Sequence, residues 1–380
     1  MRVCLVGPSL DILGGQAVQA QRLLERLRTV PSLDVDFLPV NPRLPGPLRA
    51  LQGVKYVRTA TTSAAYGGSL LARLRHYDVV HAFSASYWSY LLAPLPALVV
   101  AKAYGRATVL NYRSGEADDH LRRSRVAVRT IRRYVDAVVV PSGYLVDVFG
   151  RFGLPAQSIA NFVEVERIPY RRRTHPAPRF LSNRNLEPLY NVACVLRAFA
   201  LVQREVPDAT LTVAGDGAER APLEALAAEL GLRGVRFVGR VSPADMPALY
   251  DAADVYLNTP NIDNMPNSVI EAFAAGLPVA TTDAGGIPYI VEHERTALMV
   301  ARDDHQALAT AALRLLGEPG LAVALADAGR AECLSRYVWP AVAEQWAALY
   351  HGLARGAPHA PNVRPAAPGT AEVAGAGARG

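Results

Sequence analysis

Two carboxylates eight residues apart, Asp263 and Glu271, bracket the stretch Asn264-Met265-Pro266-Asn267-Ser268. Pro266-Asn267 reads as a helix start with Asn267 or Ser268 as the cap, Gly276 as the helix end and Pro278-Val279 as the next strand. Unpaired amides of such a first turn favour a phosphate. Glu271, one turn in, can accept hydrogen bonds from two vicinal hydroxyls, and Asp263 can reach the far end of the same ligand. The plainer reading leaves Glu271 on a solvated helix face and Asp263 in a turn.

Two glycine pairs point the same way. Gly215-Asp216-Gly217 follows an apolar strand and precedes a helix, presenting bare backbone where parallel sheets bind ligands. Gly14-Gly15 does so after the first strand. Neither is GxGxxG, and no Walker sequence occurs, so dinucleotide cofactors and P-loop chemistry lose their support. Arg113, at a strand end, carries charge without being able to act as a base: it can stabilise a departing phosphate, bind an acidic acceptor, or pair with Glu116 or Asp118. His81 and His120 read as structural. Asp34-Val35-Asp36 mimics a metal motif, but both carboxylates fall on the solvent face of an alternating strand, and no metal is expected. Cys4, Cys194 and Cys333 form no CxxC pair, which argues against a disulfide framework or a cysteine-rich zinc site.

These residues need a scaffold that ends strands at a common edge. Short β-rich runs alternate with helical stretches: Val3 to Gly7, Val35 to Val40, Val79 to Phe83, Thr108 to Tyr112 and Ala137 to Pro141. After a Pro/Arg-rich stretch the rhythm restarts with Phe180 to Asn183, Thr210 to Ala214, Val235 to Gly239, Val255 to Asn258, Val279 to Thr282 and Ala297 to Val300. This predicts an α/β protein of two Rossmann-like, doubly wound parallel-sheet domains, residues 1–173 and 174–336, facing a central cleft. Residues 337–354 read as a helix crossing back to the first domain, and 355–380, nearly all Ala, Gly, Pro and Arg, as a disordered tail. With 380 residues, 51% hydrophobic and 19% charged, bulk disorder is excluded.

Charge is uneven. Residues 1–173 hold 24 Lys and Arg against 12 Asp and Glu, a net +12, and the remainder carries −6. Arg122, Arg125, Arg129 and Arg132 follow one helical face, which with Arg171-Arg172-Arg173 makes up much of this excess, and Arg122, Arg125 and Arg129 suit an anionic membrane surface. The bland reading is a solvated basic face. Aromatics are not interleaved with these arginines, so nucleic acid is not expected. The longest apolar run, Tyr90 to Ala101, is too short to span a bilayer, and the start lacks a signal-peptide pattern. The expected location is cytoplasmic, peripheral on the inner face of the plasma membrane.

Taken in order, the Gly14-Gly15 loop, Ser142-Gly143-Tyr144-Leu145, Asn161 with Val163-Glu164, Gly215-Asp216-Gly217, the Asp263 to Glu271 segment, and Gly285-Gly286-Ile287-Pro288 resemble the retaining glycosyltransferases of family 4, with their two-Rossmann GT-B fold, over about residues 1 to 353. The resemblance implies that Glu271 binds the ribose hydroxyls of a nucleotide diphosphate-sugar, that Asp263, Asn264, Met265 and Pro266 contact the sugar, and that Gly14 and Gly15 face the diphosphate. Three positions depart from the pattern. Asp263 stands for the usual Glu, Tyr190 stands where a diphosphate-binding Lys is usual beside Arg184, and Arg113 replaces a frequent His. More of the phosphate stabilisation then falls on Arg184 and backbone amides.

The expected activity is metal-independent, retaining transfer of a sugar from that donor to a hydroxyl of a glycan or lipid-linked acceptor in cell-surface polysaccharide or glycolipid synthesis. No further cofactor is needed, and Arg113, Arg184 and Asp263 are the catalytic candidates. The alternatives are a nucleotide-sugar epimerase or hydrolase on the same fold, or a binding subunit without turnover.

Overall fold

The computed structural model describes residues 1–9, 15–42, 55–84 and 86–356. Strands β1 (Arg2–Gly7), β2 (Asp34–Pro39), β3 (Val79–Ser84), β4 (Ala107–Tyr112), β5 (Ala137–Val140) and β6 (Ala156–Ser158) form a parallel sheet in the order β2-β1-β3-β4-β5-β6. Strands β7 (Arg179–Asn183), β8 (Thr210–Ala214), β9 (Val235–Gly239), β10 (Val255–Asn258), β11 (Val279–Thr282) and β12 (Leu298–Val300) form a second, ordered β12-β11-β10-β7-β8-β9. Every residue of β3, β5, β10 and β11 is buried, as expected of strands covered on both faces by helices.

Helices α1 (Gly15–Leu27), α2 (Lys55–Arg73), α3 (Trp88–Leu92), α4 (Pro94–Ala103), α5 (Ala117–Arg123), α6 (Arg125–Tyr134) and α7 (Gly143–Arg151) belong to the first lobe. The second carries α8 (Val192–Glu205), α9 (Arg220–Glu229), α10 (Met246–Ala252), α11 (Asn267–Ala274), α12 (His305–Gly317) and α13 (Pro319–Arg336). The last helix, α14 (Trp339–Ala354), places Val342, Trp346 and Tyr350 in one core with Val3, Leu5 and Val79 of the first sheet. There His81 is sealed in: its Nδ1 lies 2.6 Å from the Tyr350 hydroxyl and its ring stacks on Trp346. Burial, with Arg113 nearby, holds His81 well below the usual imidazole pKa, so it serves as a neutral packing group. His120 is also buried, Nδ1 2.8 Å from the Tyr112 hydroxyl.

The second sheet reverses its strand order between β7 and β10, and chain segments leaving such a switch point line a crevice. Arg184 follows β7 directly and the Asp263 loop follows β10.

Three sequence readings are corrected. Strand β6 was not anticipated, because Ala156-Gln157-Ser158 lacks β-branched or aromatic residues. The arginine run is two helices, since the Ser124 side chain accepts from the Ala127 amide and starts α6, leaving Arg122 on α5 paired with Asp118. The positive charge of Arg171, Arg172 and Arg173, counted with the first half, is turned to the second lobe. Arg173 is 3% exposed and donates to the carbonyls of Ala253, Ala275 and Tyr250, Arg171 pairs with Asp254, and Arg172 with Asp327. Gly14 and tail residues 357–380 lie outside the described residues.

Candidate active site

Helix α11 carries both ends of the candidate site. Its N-cap is Pro266, with no side-chain cap, which corrects the expectation that Asn267 or Ser268 would take that role. Both side chains are used elsewhere. Ser268 Oγ accepts from Arg184 Nη1 at 3.1 Å, and Asn267 Oδ1 accepts from Asn161 Nδ2 at 2.8 Å.

One turn further on, Glu271 faces the cleft between the lobes. Its Oε2 accepts a hydrogen bond from the Tyr250 hydroxyl at 2.8 Å, and that hydroxyl in turn accepts from Asn183 Nδ2 at 2.7 Å. Its Oε1 lies 3.8 Å from Arg22 Nη1, which α1 projects from the other lobe. Burial raises the carboxyl pKa, while the Tyr250 hydroxyl and Arg22 pull it back. Glu271 and Tyr250 line a pocket of about 140 Å³ with Val241 and Met246, closed by Arg22 and Glu164. Glu164 is taken up by Arg26 and Arg167, which leaves Glu271 beside the apolar walls of Val241, Pro243 and Met246, a lining that suits a flat ring carrying hydroxyls. Sequence reasoning missed Tyr250 and Arg22, since nothing local in their neighbourhood signals a contact made 21 residues away on another helix or across lobes.

At the other end Arg184 makes a short ion pair with Asp263, and its guanidinium lies 4.1 Å from the centre of the Tyr190 ring. Both charged side chains are mostly buried. Burial works most strongly against the Arg184 cation, and Asp263 together with the Tyr190 and Tyr256 hydroxyls more than restores it. Asp263 therefore spends one oxygen on Arg184 and gives its other to the Met265 amide at 3.2 Å. Met265 itself is core: its sulfur accepts from the Asn161 amide at 3.2 Å, so only its backbone borders the site.

The glycines position this pair. A Cβ on Gly215, at φ 139°, would lie 2.0 Å from the Arg184 carbonyl oxygen, and one on Gly217 2.3 Å from that of Leu186. Close approach of the 215–219 loop is what fixes the Arg184 loop, with Leu186 N bonded to Asp216 O at 3.1 Å. Gly286 does the same for the Asp263 loop, its amide donating to Asp263 O at 2.8 Å.

Arg113, at the end of β4, does not pair with Glu116 or Asp118. Its Nε donates to Asn111 Oδ1 at 3.0 Å, its Nη1 to Asn161 Oδ1, and its carbonyl accepts from Asn264 Nδ2 at 2.8 Å. Burial with no offsetting acid pulls its pKa down to about 10, still fully charged at neutral pH. Asn161 and Asn264 thus tie Arg113 to the second lobe's loop. Gly15 opens α1 on the first lobe's side. Asp34 and Asp36 point outward and engage Arg2.

The arrangement brings carboxylates, cations and the first turn of α11 to facing edges of two parallel sheets. Residues 177–318 match the family described as glycosyl transferases, group 1. The chain is 30% identical over 295 residues to a glycogen synthase of Mycobacterium tuberculosis, covering 73% of this chain and 70% of that one. It is 26% identical over 324 residues to the GDP-mannose-dependent alpha-(1-6)-phosphatidylinositol monomannoside mannosyltransferase of the same species, covering 79% and 84%. In fold it is similar to Anabaena Alr3699/HepE, solved in complex with UDP, with TM-score 0.74, 18% identity, and 93% and 100% of the two chains covered. The cleft between two parallel sheets and these likenesses agree: the chain is a GT-B-like enzyme that belongs to the group 1 glycosyltransferases.

Proposed function

We propose that the enzyme transfers a sugar, with retention of anomeric configuration and without a metal, from a nucleotide diphosphate-sugar to a hydroxyl of a glycan or lipid-linked acceptor in cell-surface polysaccharide or glycolipid synthesis. The observation that carries the reading is Glu271, held ready by Tyr250 in a pocket that both lobes line. Its carboxylate accepts from the two ribose hydroxyls while Val241 and Met246 flank the base. The diphosphate lies over the first amides of α11 with Arg184 beside it, and Asn264 and the Pro266 backbone meet the sugar.

Charge develops on the leaving diphosphate as the bond from the anomeric carbon to its oxygen breaks, so preorganised cations act where they matter most. Arg184 and Arg113 supply two, one from each lobe. The acceptor oxygen bonds to the anomeric carbon and its proton passes to the departing phosphate oxygen. Lobe closure keeps water from the same carbon. The solved neighbour's UDP, and the GDP-mannose dependence in the name of the mycobacterial relative, support a nucleotide donor.

Incubating the purified chain with UDP-, GDP- and ADP-sugars, with and without cell-derived acceptors and with EDTA, tests this. Release of nucleotide that needs an acceptor, survives EDTA and yields a product of the donor's anomeric configuration is the expected result. Release without acceptor would replace transfer by hydrolysis or epimerisation, and binding without release would mark a non-catalytic subunit.

A further inference from the structure

The first lobe carries an outward ridge that the donor site does not use. On α3, Tyr90 is buried and its hydroxyl lies 2.8 Å from Thr130 Oγ1, which fixes α3 against α6. Residues two positions either side of Tyr90 project from the opposite face of a helix. Those residues are Trp88, 75% exposed, and Leu92, 56% exposed. On the adjoining α6 an outer stripe follows the i, i+3, i+7 pattern of Val126, Arg129 and Arg133, with Val126 54% exposed and Arg125 exposed beside it.

Three of the nearby acids are already spent. Asp118 pairs with Arg122, Asp119 with Arg123, and Asp136 with Lys102. No carboxylate among the described residues pairs with Arg125, Arg129 or Arg133. An exposed indole and leucine on one helix, with three uncompensated guanidinium groups on the helix it adjoins, are complementary to one kind of surface, in which apolar chains lie under anionic head groups. A soluble glycan would stack on the indole but would make no use of Leu92, Val126 or the cations.

We propose that this ridge is the enzyme's docking surface for an anionic phospholipid bilayer. Trp88 and Leu92 enter the interface while Arg125, Arg129 and Arg133 lie against lipid phosphates. This changes the set suggested by the sequence, since Arg122 is paired on α5 and Arg133 replaces it. No single helix among the described residues is long and apolar enough to cross a membrane, so attachment is by a surface.

The test is co-sedimentation of the full chain with phosphatidylcholine vesicles, with and without phosphatidylglycerol, together with quenching of tryptophan emission by brominated lipid. Trp346 is buried and Trp339 is half-buried against Phe162, so Trp88, the most exposed of the three, dominates the lipid-accessible signal, and Trp88→Phe identifies its share. Binding should need phosphatidylglycerol and weaken with salt. It should fall at least about tenfold in Trp88→Ser/Leu92→Ser and in Arg125→Ser/Arg129→Ser/Arg133→Ser, with thermal unfolding unchanged in both. Three results would each overturn the proposal: no binding to anionic vesicles, equal binding by folded variants, or Trp88 emission that answers to soluble oligosaccharide and not to brominated lipid. None of these depends on the identity of the donor, so the transfer reading stands or falls separately.

Discussion

Arg22 of the first lobe reaches to within 3.8 Å of Glu271 in the second, so the carboxylate expected to hold the ribose is electrostatically tuned from across the cleft. Burial raises the Glu271 pKa, and Arg22 is one of two groups that lower it. Only the ionised form accepts two hydroxyl hydrogen bonds. Nucleotide affinity should therefore decline on acidification at a higher pH than an ordinary glutamate would give. Arg22→Ala removes a lowering influence and should move that decline to still higher pH, as should Tyr250→Phe. Nucleotide binding followed from pH 4 to 8 checks the sign; an unmoved or downward-shifted decline would separate Arg22 from Glu271.

Asp263 compensates Arg184 in a mostly buried pair. Asp263→Asn leaves an unpaired buried cation, and about 3 kcal/mol of stability should be lost, the lower end for breaking such a pair. An anion in the site can substitute. Nucleoside diphosphate should then raise the variant's Tm more than it raises that of the wild type, read by thermal denaturation across a nucleotide titration.

The Arg113 guanidinium donates to two side-chain amides and lies 5.8 Å from the centre of the Phe83 ring with no carboxylate to pair it, so its burial costs stability. Arg113→Met should leave Tm unchanged or higher, since an apolar replacement removes a desolvated charge. Turnover should drop by about 100-fold, the scale for losing one preorganised electrostatic group. Steady-state kinetics beside a melting curve separates the two effects.

Gly286→Ala drives a methyl to 1.7 Å from the Asn264 carbonyl oxygen. The loop must move, costing at least about 2 kcal/mol in urea unfolding, and donor affinity should fall with it because the same loop carries Asp263. Gly67→Ala is the control: it lies within α2, a Cβ there meets nothing within 4 Å, and it should stabilise by about 0.5 kcal/mol.

Strands with β-branched runs, such as Val79–Ser84 and Val255–Asn258, were legible because burial on both faces leaves a continuous apolar signal. The Asp263 to Glu271 segment was legible because polar loop, helix start and carboxylate follow one another locally. What stayed hidden was non-local. Tyr250 and Arg22 meet Glu271 only once separate helices pack, and the room that Gly215 and Gly217 leave for the Arg184 loop shows only when that loop is in place. The arginine run misled for a local reason: Ser124 can be read as one more exposed helix residue or as a cap, and the cap won.

The proposed transfer requires Glu271 to hold a nucleotide in the interlobe pocket. Calorimetric titration of the full chain with UDP, GDP and ADP, before and after Glu271→Gln, measures this directly. At least one nucleotide should bind, and the substitution should weaken it by about 10- to 150-fold, the equivalent of 1.5–3 kcal/mol for charge-assisted hydrogen bonds, with no loss of Tm. Equal affinity in the folded variant, or no binding of any of the three to the wild type, would contradict it.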